Sequence, residues 1–102
     1  MLEKIDYLNE LFDFYRELLT EKQQRYFEFY YHEDYSLNEI AELFNISRNA
    51  VYDHLKKVEE HLNFFESKLK LAENKNKRKA LYNKLEENKD LKIIDELRKL
   101  DE

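Results

Sequence analysis

The stretch Ser36-Leu37-Asn38-Glu39-Ile40-Ala41-Glu42-Leu43-Phe44-Asn45-Ile46-Ser47-Arg48-Asn49-Ala50-Val51-Tyr52-Asp53-His54-Leu55-Lys56 holds two helix starts with almost no chain between them. Ser36 followed by Glu39 is a capping box, which satisfies free backbone donors at a helix start. Leu37, Ile40, Ala41 and Phe44 then recur at helical spacing. Ser47, a second capping residue, follows three positions after Phe44, so a helix of about two turns stops and a new one begins. Asn45 stands in the connection, where a left-handed residue is needed; asparagine tolerates that conformation best after glycine. The small Ala41 allows a close crossing, and Ile46 and Val51 fill the angle between the helices. The pattern is that of a helix-turn-helix.

The rest of the chain supports an all-α fold. Its 102 residues suit one domain with a modest core, and it contains neither glycine nor proline. Tight hairpins, phosphate-cradling glycine loops and nucleophile elbows are hard to build without them. The absence of cysteine excludes disulfides and thiolate chemistry and fits a reducing cytoplasm. The amino terminus lacks the basic and apolar blocks of a signal peptide, and no apolar run reaches membrane-spanning length. A cytoplasmic protein without membrane insertion is expected.

Charge is unevenly spread. The net −5 resolves into −7 over residues 1–47, +5 over 48–84 and −3 over 85–102. An anionic partner is drawn to the middle of the chain and repelled by its ends.

Around the motif, Ile5, Leu8, Phe12, Tyr15 and Leu19 predict a helix over 2–19, broadened by Leu11 and Leu18. Thr20 caps a second helix reaching about His32, with Glu21 in its first turn. The ring-rich Tyr26-Phe27-Glu28-Phe29-Tyr30-Tyr31 is either a stacking platform for bases or, the favoured reading, the hydrophobic face of a three-helix unit. Val51, Leu55, Val58, Leu62, Phe65, Leu69 and Ala72 alternate spacings of 4 and 3, so the helix from Ser47 is long and packs on another long helix. Its partner is residues 2–19 or a second subunit, which leaves a homodimer open. The pattern ends near Asn74-Lys75-Asn76. Further helices over Lys77–Glu87 and Asp90–Leu100 have too little apolar surface to stand alone. The expected division is a helical domain over 1–74 and a helical extension over 75–102, docked on that domain or on a second subunit.

On the second motif helix, Ser47, Arg48, Asn49, Tyr52, Lys56 and Lys57 are the candidate nucleic-acid-binding face. Arginine forks onto guanine and asparagine onto adenine in the major groove of double-stranded DNA. Ser47 and Lys56 suit phosphates. Asp53 and Tyr52 make the same face poorly basic. A second candidate is the basic patch of Lys68, Lys70, Lys75, Lys77, Arg78 and Lys79. The competing reading there is a solvated lysine-rich face.

Catalysis has little support. His32-Glu33-Asp34 are adjacent and do not share a helix face, and His54 and His61 lie two turns apart, too far for one ion. No pair of carboxylates is set in an apolar pocket by any recognisable pattern. No enzyme activity, cofactor or metal is expected.

Leu19 through Leu62 resembles region 4 of bacterial sigma factors, the domain that reads the −35 promoter element. The resemblance rests on Leu19-Thr20, Phe27, Tyr31, Ser36-Leu37-Asn38-Glu39-Ile40-Ala41, Ile46-Ser47-Arg48, Val51 and Leu55. Over nearly its full length the chain resembles the YlxM-type helix-turn-helix proteins. Leu11-Phe12-Asp13-Phe14-Tyr15, Leu18-Leu19-Thr20-Glu21-Lys22-Gln23 and Ser47-Arg48-Asn49-Ala50-Val51-Tyr52-Asp53 carry that likeness. It implies a regulatory or accessory protein of the signal recognition particle pathway, with the particle's RNA or GTPase as partner. Tyr52, Asp53 and His54 depart from the sigma pattern. A sigma-like transcription regulator and a module that binds only protein are the alternatives.

Overall fold

The computed structural model of the chain describes residues 2–88 and 91–101. Among these residues every regular element is helical: α1 (Leu2–Tyr15), α2 (Glu21–Phe27), α3 (Leu37–Phe44), α4 (Arg48–Leu69), α5 (Leu71–Asn88) and α6 (Leu91–Asp101). They form two compact units, Met1–Lys68 and Leu69–Glu102.

In the first unit, α1 buries Leu8, Leu11, Phe12 and Tyr15. It then tightens into a 3-10 turn over Arg16–Leu18, closed by Leu19 N–H donating to the Arg16 carbonyl at 3.0 Å. A 3-10 turn advances three residues per revolution instead of 3.6, so the apolar stripe is rephased there. Leu18, expected in the stripe, is 55% exposed as a result, and Leu19 is buried. Thr20 caps α2 by a full capping box: Gln23 N–H donates to Thr20 Oγ1, and Thr20 N–H donates to Gln23 Oε1. The helix runs on through a wide π-helical turn, Glu28–His32, where Glu33 N–H reaches back to the Glu28 carbonyl. Asp34 then takes a left-handed backbone, φ 57°.

The second capping box forms as the sequence predicts, with Glu39 N–H donating to Ser36 Oγ at 3.1 Å and Ser36 N–H to Glu39 Oε1 at 3.0 Å. Asn45 closes α3 in the left-handed region, φ 55° and ψ 48°. Ser47 Oγ accepts from Ala50 N–H at 3.0 Å and so caps α4.

The seam of α4 buries Val51, Val58 and Leu62 completely. Its neighbour within the unit is α1, running in the same direction. Lys4 pairs with Glu59 at 3.1 Å. Further along, the Tyr15 ring lies 5.9 Å from that of Phe65, and its hydroxyl donates to Glu66 Oε1 at 2.5 Å. Of the two partners the heptad pattern allowed, the one seen along residues 59–66 is the chain's own first helix.

The break in the long helix differs from expectation. It falls at Lys70, left-handed with φ 54°, rather than near Asn74-Lys75-Asn76, which lie inside α5. Asn and Lys are acceptable helix residues, and no glycine or proline interrupts that run, so the helix passes through it. The Lys70 carbonyl accepts from Asn74 N–H at 2.9 Å and so opens α5.

In the second unit α6 packs on α5. It runs back along it, since Arg78 in the middle of α5 lies 4.0 Å from Asp101 at the end of α6. Ile93 and Leu97 are the buried residues of α6, and Ile94 and Leu100 are half-buried. Asp90, the expected start of this helix, lies outside the described residues.

Candidate nucleic-acid interface

The frame of the motif is a small sealed core. Tyr26, Ile40, Ala41 and Val51 are buried together, with Phe29, Tyr35, Leu37, Phe44, Ile46 and Leu55 packed around them. The Arg25 guanidinium covers this core from outside, 5.0 Å from the Phe44 ring centre. Ile46 N–H donates to the Ala41 carbonyl across the turn, so the connection has little freedom. Such a frame holds the start of α4 rigidly in one orientation.

Ser47, Arg48, Asn49, Tyr52, Lys56 and Lys57 are all exposed. At about 100° per residue, Arg48, Tyr52 and Lys56 fall within one band some 80° wide, with Asn49 at its edge and Lys57 further round. The Ser47 oxygen is used as a cap, leaving its O–H as the donor for a phosphate. Among the described residues no ion pair engages Arg48, Lys56 or Lys57. Asp53 and Glu60 are exposed on the same helix, and Glu59, half-buried, is paired with Lys4, so the charge around Arg48, Lys56 and Lys57 is mixed.

The lysine-rich segment is arranged differently. Lys68 ends the first unit with its ammonium 5.8 Å from the Phe64 ring centre. Lys70 occupies the helix break. On α5, Lys75 and Lys79 are one turn apart with Arg78 beside them, while Lys77 points to the far side and pairs with Glu73 at 3.3 Å. The residues of this segment on α5 thus do not gather on one face of the helix.

A cleft that sequence reasoning missed adjoins the motif face. It has a volume of about 430 Å³ and is walled by Tyr30, Tyr31 and Leu37 on one side and by Tyr52, Leu55, Lys56, Glu59, Glu60 and Asn63 on the other, with Lys4 at its end. Tyr52 is 56% exposed and Tyr30 is 37% exposed. Burial, and after it the Glu59 carboxylate and Tyr30, push the Tyr31 hydroxyl above the ordinary tyrosine range. The signal lies in the ring-rich Tyr26–Tyr31 run, where residue type alone does not separate core rings from exposed ones. Tyr26 and Phe27 are indeed buried, but the π-helical turn follows immediately and presents Tyr30 outward.

The histidines have structural contacts. His32 Nε2 lies 2.9 Å from Asn9 Oδ1, with the ring edge-on to Phe12 and Phe27. His61 Nδ1 lies 3.1 Å from Gln23 Nε2. His54 is half-buried, its ring stacked on Tyr26. Among the described residues no group of three His, Cys, Asp or Glu side chains is placed to hold a metal ion, and no helix is long and apolar enough to cross a membrane.

Residues 2–100 match the model of the UPF0122 family, described as "Putative helix-turn-helix protein, YlxM / p13 like". The UPF0122 protein YlxM of Bacillus subtilis is 50% identical over 86 residues, covering 84% of this chain and 78% of that one. A UPF0122 protein of Oceanobacillus iheyensis is 54% identical over 85 residues, 83% of this chain and 81% of its own. One from Geobacillus is 44% identical over 108 aligned positions, 100% of this chain and 98% of its own. With a rigidly built helix-turn-helix and matches over almost its whole length, the chain belongs to the YlxM/p13-like helix-turn-helix family.

Proposed function

We propose that this is a non-enzymatic, cytoplasmic regulatory protein that binds nucleic acid through its helix-turn-helix, and that the nucleic acid is the RNA of the signal recognition particle. The observation that carries nucleic-acid binding is the start of α4. Arg48, Lys56 and Lys57 stand exposed and without ion pairs among the described residues, on a helix whose orientation is fixed by Ala41, Asn45 and Val51. Phosphates neutralised by such cations release counterions, which drives association.

Asp53 weighs against major-groove reading of duplex DNA. A carboxylate among the base-contacting positions can only accept, from the amino groups of cytosine or adenine, and it repels the phosphate rails. Structured RNA is recognised mainly by shape, phosphates and unpaired bases, and so tolerates a mixed-charge face better. The assignment to the signal recognition particle follows from the YlxM resemblance. The particle's GTPase is the protein partner that the same resemblance implies.

Titration of fluorescently labelled particle RNA in physiological salt tests the reading. Binding that Arg48→Ala and Lys57→Ala weaken supports it, and no binding to RNA or GTPase overturns it. Selection from random DNA duplexes runs alongside, because enrichment of a sequence motif would favour the transcription-regulator alternative.

A further inference from the structure

The cleft between the π-helical turn and α4 has features unlike a gap in packing. Its lining carries two cations, Lys4 and Lys56, and two carboxylates, Glu59 and Glu60, so it is neutral overall. Lys4 and Glu59 are already satisfied by each other at 3.1 Å. A neutral lining does not select a phosphate or an ammonium as its guest. Apart from Asn63, the rest of the wall is aromatic and aliphatic: Tyr30, Tyr31, Tyr52, Leu37 and Leu55. The Tyr30 and Tyr31 rings meet edge to face at 5.0 Å, which fixes the Tyr30 ring while leaving it partly exposed.

Asn63 and Glu60 supply acceptors in the lining. The Asn63 amide nitrogen donates to the Glu59 carbonyl at 3.0 Å, so its Oδ1 remains as an acceptor. Glu60 adds a second acceptor beside it. A guest with flat apolar faces and a hydrogen-bonding edge that donates matches this set, and a volume of about 430 Å³ admits one nucleoside.

From this juxtaposition of Tyr30, Tyr52, Glu60 and Asn63 we infer that the cleft receives one unpaired, amino-bearing base of a nucleic acid whose backbone lies along Lys56 and Lys57. The base stacks on the tyrosine rings, while its charged phosphates stay outside on the motif face that shares Tyr52 and Lys56 with the cleft. The inference rests on the nucleic-acid reading above and adds to it a preference for a strand with a looped-out base over a continuous duplex. Stacking of this kind on aromatic side chains is sequence-tolerant and substantial in single-strand binders.

The test uses the full chain and three duplexes of one length: fully paired, with one unpaired 2-aminopurine, and with an abasic site in its place. The unpaired base should bind on the order of tenfold more tightly than the paired duplex, with a change in 2-aminopurine fluorescence on binding. The abasic duplex should lose that advantage. Tyr30→Ala should abolish the preference and leave affinity for the paired duplex within about twofold, while Tyr30→Phe, which keeps the ring, retains the preference. Equal affinity for all three duplexes overturns the cleft assignment alone. A Tyr30→Ala variant that remains folded by circular dichroism and keeps the preference does the same. Absence of binding to every oligonucleotide overturns both the cleft assignment and the nucleic-acid reading.

Discussion

Tyr26 stacks on His54, the ring centres 4.8 Å apart and the planes 16° from parallel, and its hydroxyl is buried without a hydrogen-bond partner among the described residues. A buried polar atom left unsatisfied loses its hydration with nothing in exchange, an effect of about 1–3 kcal/mol. Tyr26→Phe keeps the ring contacts with Phe44 and His54 and removes that atom. The variant should be more stable by about 1 kcal/mol, read as a higher urea midpoint with an unchanged slope. A loss of stability would mean that the hydroxyl has a partner.

Asn45 gives a second stability handle. Its left-handed backbone is unfavourable for a residue with a β-carbon, and asparagine is the residue that bears it best after glycine. Asn45→Ala should lower stability by about 1 kcal/mol, whereas Asn45→Gly should stay within about 1 kcal/mol of the parent. Equal effects of the two substitutions would remove backbone conformation as the cause.

The Ser36 capping box should be acid-sensitive. Its backbone and side-chain hydrogen bonds hold the Glu39 carboxyl below the ordinary glutamate range. A depressed pKa in the folded state means that the contribution is complete above the unfolded value and is lost as pH falls through the folded one. Glu39→Gln can still close the box but cannot titrate. The variant should therefore lose less stability than the parent between neutral and mildly acidic pH in paired denaturation curves.

Tyr31 should titrate above the ordinary tyrosine range. Burial is the main cause and the Glu59 carboxylate the second, so Glu59→Gln should bring the value only part of the way back. The sign for stability is opposite to that of Glu39: the raised value favours the neutral hydroxyl in the fold. Its contribution is present below the unfolded tyrosine value and disappears as pH rises through the folded one. Ultraviolet titration of the phenolate band, with Tyr31→Phe as the difference control, reads the shift directly. No movement in Glu59→Gln would exclude the carboxylate.

Lys57 tests the interface without touching the cleft wall. If it meets a phosphate, Lys57→Ala should weaken binding of paired and unpaired oligonucleotides alike. It should also flatten the dependence of log affinity on log salt by about 1. An unchanged slope places Lys57 off the backbone path.

The parts of the fold legible in the sequence are those governed by local chemistry. Ser36 with Glu39, Asn45 and Ser47 each solve a backbone problem within a few residues, so their roles follow from residue type and spacing. The partner of the α4 seam was narrowed to two possibilities by heptads alone, because a seam records that packing occurs and not which helix supplies it. The exposure of Leu18 and Tyr30 and the helix break at Lys70 depart from expectation for a common reason. Each sits at a change of helical pitch or a left-handed residue, and apolar periodicity assumes one constant pitch. The cleft escaped for a further reason, since Lys4, Tyr30 and Glu59 are brought together only by tertiary packing.

The widened turn at Glu28–His32 holds one residue more than an α-helical turn would accommodate. Before it, Phe12 and Phe27 stack at 4.2 Å; Phe29 within it and Tyr35 beyond it pack against the core of the motif. The extra residue works as a phase shifter between two hydrophobic registers. Deleting any one residue of the five would turn the following side chains by about 100°. Relatives should therefore accept substitutions in this turn far more readily than length changes, and insertions or deletions should collect elsewhere in the family.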